Sequence, residues 1–553
     1  MNIDVSLISR INFQINQRSS RFWLLIMGAV LLLFYLTVIF LNQSGLSSQG
    51  RMFWLHDDMM ISMRYARNAA QGNGLVWNPG GEPVEGYSNF GWVLVMTLVH
   101  ELGLPSIHTS AAMLAINLLL ALLVLILQTR LLLFLEPKPG LALPTALLAL
   151  IISVDLARWT VIGLESVLLT VVFLWLVLRV LGEARAAQPR PLTFFLAGFL
   201  GIIRTDGLIL IAIVCLLAFA LNPKRKQVFF FALLALILPL AHFVFRWRYY
   251  GRLFPNTYYL KITSWEIRLQ AGLRYIGRFL KAYGLIWLLA GIGVWKHGQR
   301  EAQVLWLSGL VLLGYAFYVG GDDFGGLRFL AVWLPILILL ACLTPKWLFG
   351  NGRPWLRALV LGGILLWVGV FAGYRFWNTH LYEDQFMPVG QVLRSETLPA
   401  TTIGHFLAGT SAYMSERTAV DMLGKNDAVI ANQPAHADGL KPGHNKYDYD
   451  YSLGVLAPDL LLAPSTMEFI SNSDNFKSVL QGNDGYVGQL YLNPIFQREY
   501  APNLFYIGKL ALFVRQDSPE LTRMMTNNCT DVRSPELKSL GMRRVCWPFE
   551  SQE

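Results

Sequence analysis

Charge is what this chain has least of. Asp, Glu, Lys and Arg make up only 14% of its 553 residues against 54% hydrophobic, and the mean hydropathy is +0.46. That balance excludes a soluble enzyme and indicates a polytopic membrane protein. Cysteine is nearly as scarce, with four residues. Cys215 and Cys342 fall in apolar runs and read as plain packing. Cys529 and Cys546 lie in a C-terminal region of different composition, where an oxidising compartment would join them as a disulfide. No repeat or low-complexity segment is present. A P-loop, a Rossmann fingerprint and a Ser/His/Asp motif are also missing, as expected of chemistry on a membrane face where ATP and nucleotide sugars are absent. No cleavable signal peptide is expected either. The first apolar run, Phe22 to Leu41, is too long for a signal core and lacks a small-residue cleavage site, so it reads as the first span.

The formal charge of +10 has to be read by position. In a membrane protein a basic excess belongs to cytoplasmic loops facing anionic lipid, so nucleic acid is not an expected partner. Arg10, Arg18 and Arg21 precede the first span and put the N-terminus inside. Alternating the apolar runs from there gives about eleven spans of roughly the ~20 residues that crossing requires, some shorter. They run from Phe22–Leu41, through pairs such as Leu192–Ile203 and Leu208–Leu221 hinged at Arg204-Thr205-Asp206-Gly207, to Leu359–Trp377. Lys224, Arg225 and Lys226 form the clearest inside turn, and a large outer loop is expected from Phe245 to about Lys281. Gly91 to Leu104 is too short to cross and carries His100 and Glu101, so it reads as an interfacial helix. The domains expected are a membrane module over 1–377, with a first outer loop at 42–108, and an exported α/β domain over 378–553. TTIGHF and LLLAPS are its strand candidates.

The most informative stretch follows the first span. Asp57 and Asp58 stand together at the start of a helix expected over Met59 to Ala70, whose Asp57, Ile61, Arg64 and Asn68 share a face. One aspartate can be a simple N-cap, complementing the helix dipole; a second beside it is not explained that way. The Gly- and Pro-rich loop after Gln71 carries Trp77, Glu85 and Tyr87, and its aromatic content argues against disorder. Further along, Asn256, Tyr258 and Lys261 sit among tyrosines that can be a sugar or prenyl platform or only an interfacial aromatic belt. Ionisable groups at span ends are functional candidates by default, although any one arginine can simply snorkel. His405, His436 and His444 lack metal-ligand spacing and read as solvated loop histidines.

The runs HDDMMISMRYARN and GNGLVWNPGGEPVEGYSN, with YYGRLFPNTYYLK, GGDDFGGLRF, DMLGKNDAVIA and KPGHNKYDYDYSL, resemble the bacterial GT-C glycosyltransferases. The likeness is to the mycobacterial terminal arabinofuranosyltransferase family that uses a polyprenyl-phosphate arabinofuranose donor. The resemblance implies a GT-C fold in the bacterial cytoplasmic membrane, with transfer at its outer face to a glycan, glycolipid or protein. It also implies that Asp57, and next Asp58, is the catalytic acid residue of the first outer loop. Such a transfer needs cations for the leaving phosphate, for which Arg204, Arg252, Lys261 and Arg328 are candidates. A carboxylate must also take the acceptor proton. Arg64, Trp77, Glu85, Tyr87, Asn256, Tyr258, Asp322 and Asp323 are candidate substrate contacts. Asp322 and Asp323 can form a tight turn or hold a divalent cation; no other cofactor is expected. The alternative function is a transporter or flippase of a lipid-linked sugar, against which stands the near absence of mid-span charge.

Overall fold

The structure, a computed structural model, describes residues 5–47, 50–262, 264–322, 326–350, 352–376, 383–436, 443–466, 485–507, 510–524, 529–531 and 544–546. The chain forms two compact units. The first comprises Met1–Gln43, Ala112–His242 and Trp265–His380; the second comprises Ser44–Ala111, Phe243–Ser264 and Leu381–Glu553.

The first unit is helical. Among the described residues of the whole chain, seven helices are long and apolar enough to cross a membrane, or eight if the pair Ala142–Ile152 and Val154–Val161, bent by 53°, counts as one span. This corrects the expectation of about eleven. Pro191–Ile203, Gly207–Leu221 and Leu334–Phe349 are apolar and helical, but too short to qualify. The physical reason lies at the hinges: the Arg204 backbone is extended, which ends one helix, and a new one starts at Gly207. Within the outer loop expected to reach Lys281 the chain is helical from Trp265, in a single helix that runs on to His297. Bundle packing is close where glycine permits it. A Cβ on Gly309 would lie 2.4 Å from the Trp333 ring, and Trp333 Nε1 donates to Leu305 O at 3.2 Å. Cys215 and Cys342 are free thiols in this unit, Cys342 buried.

The second unit contains the helix Asp57–Ala70, the helix Phe90–Glu101 and a mixed sheet. Phe90–Glu101 buries Trp92, Val93, Met96 and Val99 while exposing Leu94 and Leu98. A two-stranded hairpin joins β1 (Ser44–Ser47) to β2 (Gly50–Phe53). The sheet comprises β3 (Thr402–His405), β4 (Thr418–Asp421), β5 (Leu460–Thr466), β6 (Asn503–Ile507), β7 (Leu510–Val514), β8 (Cys529–Asp531) and β9 (Arg544–Cys546). Its order is β4-β3-β5-β7-β6-β9-β8, and β3 runs parallel to both β4 and β5. Because successive strand residues face opposite ways, Leu460 and Leu462 enter one core with Phe386, Leu393 and Phe505. Leu461 and Ala463 enter another with Met422, Tyr491 and Phe513. Covering both faces accounts for the unbroken LLLA run, where an exposed face would need alternation.

The antiparallel register sets Cys529 opposite Cys546. The side chains of both lie outside the described residues, but directly paired strand positions have Cα atoms within the range a disulfide spans. We therefore expect a bridge worth ~2–4 kcal/mol, chiefly through restriction of the unfolded chain. Mass spectrometry after alkylation of the native, unreduced protein should find neither thiol labelled; labelling of both would refute the bridge.

Candidate functional site

The site grows out of the carboxyl ends of two neighbouring parallel strands, where open α/β sheets commonly present their loops to ligands. His405 ends β3 and Asp421 ends β4, and the two are register partners. The segment after β3 brings Gly409 and Thr410, whose backbone N–H groups donate to the Asp57 carboxylate at 3.2 and 2.7 Å. The segment after β4 brings Lys425, whose ammonium lies 2.6 Å from Asp58 Oδ1. Asp57 and Asp58 occupy the first turn of their helix, and the cap is His56, whose ring Nδ1 accepts from Asp58 N at 3.3 Å. Neither aspartate is therefore the N-cap.

A turn and a side-chain clamp hold Lys425 in place. Asp421 accepts backbone N–H bonds from Leu423, Gly424 and Asn426, at 3.0, 3.1 and 2.7 Å, folding the chain back on itself. Gly424 has φ +76°, a left-handed conformation that disfavours a side chain. Asn256 then clamps the loop: its amide donates to the carbonyls of Gly424, Lys425 and Asp427 at 2.9, 3.1 and 3.0 Å. Asn256→Asp keeps the shape but turns acceptors toward three acceptors, and an unsatisfied buried polar group costs ~1–3 kcal/mol, more when charged. We expect a lower melting temperature together with reduced turnover. Unchanged values of both would show that the loop does not depend on this clamp.

The two aspartates have different electrostatics. Asp57 is only 4% exposed, and burial pushes its pKa up to about 6, with Lys425 and the Thr410 and Gly409 N–H groups pulling the other way. The Asp58 side chain is 32% exposed. Burial raises Asp58 too, but Lys425, His56 and Lys261 outweigh it and hold its carboxyl well below the usual carboxylate range. Burial lowers Lys425, and the two aspartates more than reverse this, so it stays protonated. Lys425 was not singled out from sequence, although it stands inside DMLGKNDAVIA. The signal available there was a lysine within a run of turn-forming Gly, Asn and Asp.

Several candidates are engaged within the protein itself. Arg64 is buried and donates to Trp77 O at 2.7 Å, Asn78 Oδ1 at 2.8 Å, Arg417 O at 2.7 Å and the Ala412 carbonyl, with its guanidinium over the Trp77 ring. Glu85 pairs with Arg246 at 2.8 Å, and burial pushes it up to about 7 against the pull of that arginine. The Tyr87 hydroxyl meets that of Tyr250 at 2.9 Å. Tyr258 is 50% exposed and stacks on Phe254. Arg252 lies over the Tyr259 ring and donates to Asn432 at 3.3 Å.

In the first unit Arg204 and Arg328 both pair with buried Glu165, and Arg204 also bonds Asp206 at 2.7 Å. Burial pushes Glu165 up, but the two guanidiniums hold it below its ordinary value. Asp155, which sequence reasoning passed over, accepts from Tyr283 at 2.9 Å and from Leu327 N at 2.7 Å, pinning the backbone beside Arg328. Asp322 accepts through its carbonyl from Arg278 at 3.2 Å. Asp323 lies outside the described residues. Among the described residues no group of three or more His, Cys, Asp or Glu side chains is arranged to hold a metal ion. At Asp58 the ammonium of Lys425 already supplies the positive charge that a cation would bring, so this pair does not fit a metal site.

Comparison with known proteins bears on the fold. Residues 375–501 match the model of a domain of unknown function, DUF8728. The chain is 28% identical over 245 residues to a terminal β-(1→2)-arabinofuranosyltransferase of Mycobacterium tuberculosis, covering 42% of this chain and 38% of that protein. It is 26% identical over 433 residues to the Corynebacterium glutamicum protein of the same name, covering 68% of this chain and 62% of that one. The chain thus matches less than two thirds of the length of either relative. Among solved structures, ArnT from Cupriavidus metallidurans bound to undecaprenyl phosphate superposes with a TM-score of 0.53 at 11% identity, over 90% of this chain and 98% of that one. The oligosaccharyltransferase of Archaeoglobus fulgidus, in complex with zinc and sulfate, gives 0.54 at 10% identity over 90% and 74%. The fold is GT-C-like. This is a multi-pass α-helical membrane protein with a C-terminal mixed α/β domain.

Proposed function

We propose that this protein transfers a sugar from a polyprenyl-phosphate donor to an acceptor hydroxyl at the outer face of the bacterial cytoplasmic membrane. The observation that carries the reading is the Asp58–Lys425 pair, a part-exposed carboxylate and ammonium 2.6 Å apart beside a second, buried carboxylate. Transfer needs both charges at once. As the acceptor oxygen bonds to the anomeric carbon, its proton passes to a carboxylate, and the bond from that carbon to the phosphate oxygen breaks, its electron pair leaving with the polyprenyl phosphate. Asp58 is the proton acceptor in this scheme because it is the more exposed of the two, and its basicity recovers as the Lys425 ammonium that lowers it turns to the leaving phosphate. Asp57, held by two backbone N–H groups, is a positioning residue that fixes the helix start against the Gly409–Thr410 segment. Lys425 stabilises charge developing on the leaving phosphate, an interaction that strengthens in the transition state. Lys261, whose charge also acts on Asp58, is its natural partner at the phosphate. Of the other expected cations, Arg252 belongs to the same unit, while Arg204 and Arg328 are committed to Glu165. The sugar proposed is arabinofuranose, supported by the names of the two curated relatives. The test is incubation of the purified protein and a linear arabinan acceptor with synthetic polyprenyl-phosphate arabinofuranose and, separately, with a polyprenyl-phosphate hexose. Release of free lipid phosphate from the first is expected; release from neither would overturn the reading.

A further inference from the structure

The C-terminal domain has a concave feature lined by residues that the transfer chemistry does not use. It is a cleft of about 390 Å³, within the range of small-ligand pockets. Its floor is a staircase of rings: His436 stacks on Tyr447 at 4.0 Å between centroids with the planes 10° apart, and Tyr447 on Tyr449 at 5.1 Å and 24°. The tyrosines are buried and His436, on the outside of the stack, is exposed. The His436 ring is locked, its Nε2 lying 3.1 Å from Tyr447 O while its backbone N–H donates to Asn445 O at 2.8 Å.

The rim is polar and equally fixed. Asp448 accepts from Tyr451 N at 2.9 Å and from Gln433 Nε2 at 3.4 Å. Asp450 accepts from Asn493 Nδ2 at 3.0 Å, and Asn493 Oδ1 in turn accepts from Ile495 N at 2.9 Å. Gln489 completes the rim with an exposed amide. Carboxylates and amides held by their own hydrogen bonds lose little side-chain freedom when a ligand arrives.

We propose that this cleft binds a neutral saccharide. A sugar ring has an apolar C–H face and a hydroxyl edge, and the cleft offers a flat aromatic surface beside acceptors and an amide able both to donate and to accept. Among the described residues the lining contains no Lys or Arg, which disfavours a phosphate or any other anionic group. The acids already accept hydrogen bonds from amide and backbone donors, which orients their remaining lone pairs toward a hydroxyl. Assigning the bound saccharide as the acceptor glycan, held by the domain while its terminal hydroxyl reacts, rests on the transferase reading; binding itself does not.

The experiment therefore omits the lipid donor, so that failure of the transfer assay and failure of the cleft are separate results. Full-length protein in detergent is titrated calorimetrically with a linear arabinan hexasaccharide, with maltohexaose, and with hexalysine. Saturable binding of a hexasaccharide, weakened at least tenfold by His436→Ala and by Gln489→Ala, is expected. Both positions are exposed, so neither change should disturb the core, and His436→Phe, which keeps the ring, should restore most of the affinity. Binding of neither hexasaccharide, an unchanged Kd in the alanine variants, or binding of hexalysine alone would overturn the proposal.

Discussion

Asp58→Asn should lower turnover by on the order of 10²–10⁴-fold, the usual worth of a positioned proton acceptor, while the protein still binds lipid donor and still folds, at a melting temperature lowered by loss of the Lys425 pair. The substitution is nearly isosteric at a part-exposed position, and the helix keeps its cap because the cap is the side chain of His56. Asp57→Asn should behave differently. Each Asp57 oxygen accepts one backbone N–H, from Gly409 and from Thr410, and an amide cannot accept through its nitrogen. One donor is left facing another, at a cost of ~1–3 kcal/mol. The variant should melt earlier, with any loss of activity tracking loss of folded protein. Donor turnover and thermal unfolding measured on both variants separate the roles. Should Asp58→Asn turn over within a few-fold of the parent while Asp57→Asn folds normally and is inactive, the assignment of the two carboxylates is reversed.

How much of this was legible in the chain depends on the distance over which each feature is encoded. The aspartate pair announced itself locally, because two adjacent carboxylates beside a membrane span are costly unless used. Strands in TTIGHF and LLLAPS were equally legible, since a run of apolar or β-branched residues buried on both faces is a short-range signal. The partner of Asp58 was not, because Lys425 is 367 residues away and reaches it only through a turn built by Asp421, Gly424 and Asn256. No periodicity records such a closure. Arg64 shows the converse. An arginine on the helix face shared with Asp57 invites a substrate role, and the sequence does not show that its guanidinium also donates to Trp77 and Asn78 and to carbonyls of Ala412 and Arg417 far along the chain. The span count failed for a third reason. Hydropathy finds the apolar runs and the hinge at Arg204 to Gly207, but the helices on either side, Pro191–Ile203 and Gly207–Leu221, are each too short to count as a span.

Removal of the Lys425 charge should produce the second large effect, with a signature that Asp58→Asn lacks. Lys425→Met retains much of the aliphatic stem and removes the ammonium, leaving a carboxylate in a partly enclosed site without its partner. Breaking a desolvated, hydrogen-bonded charge pair typically costs ~2–5 kcal/mol, and each ~1.4 kcal/mol is tenfold in an equilibrium or rate. Part of that loss should appear as stability and part as turnover, since the leaving phosphate also loses a cation. The distinguishing readout is pH. In the parent protein, burial raises Asp58 while Lys425, His56 and Lys261 together hold it well below its ordinary value. Its folded-state pKa is therefore depressed, and the stability it contributes is present above the unfolded value of ~3.9 and lost as pH falls toward the folded one. Without Lys425 the largest opposing charge is gone and burial acts against His56 and Lys261 alone, so the pKa rises. The acidic limb of kcat/KM must then move to higher pH, and the loss of stability in acid must begin earlier. Lys425→Arg should keep the limb near its parental position, because the charge remains, even where the larger planar group lowers turnover. Profiles of kcat/KM and of melting temperature against pH for the three proteins decide the matter: an acidic limb that does not move in Lys425→Met would mean that Asp58 is not the group whose ionisation activates the acceptor.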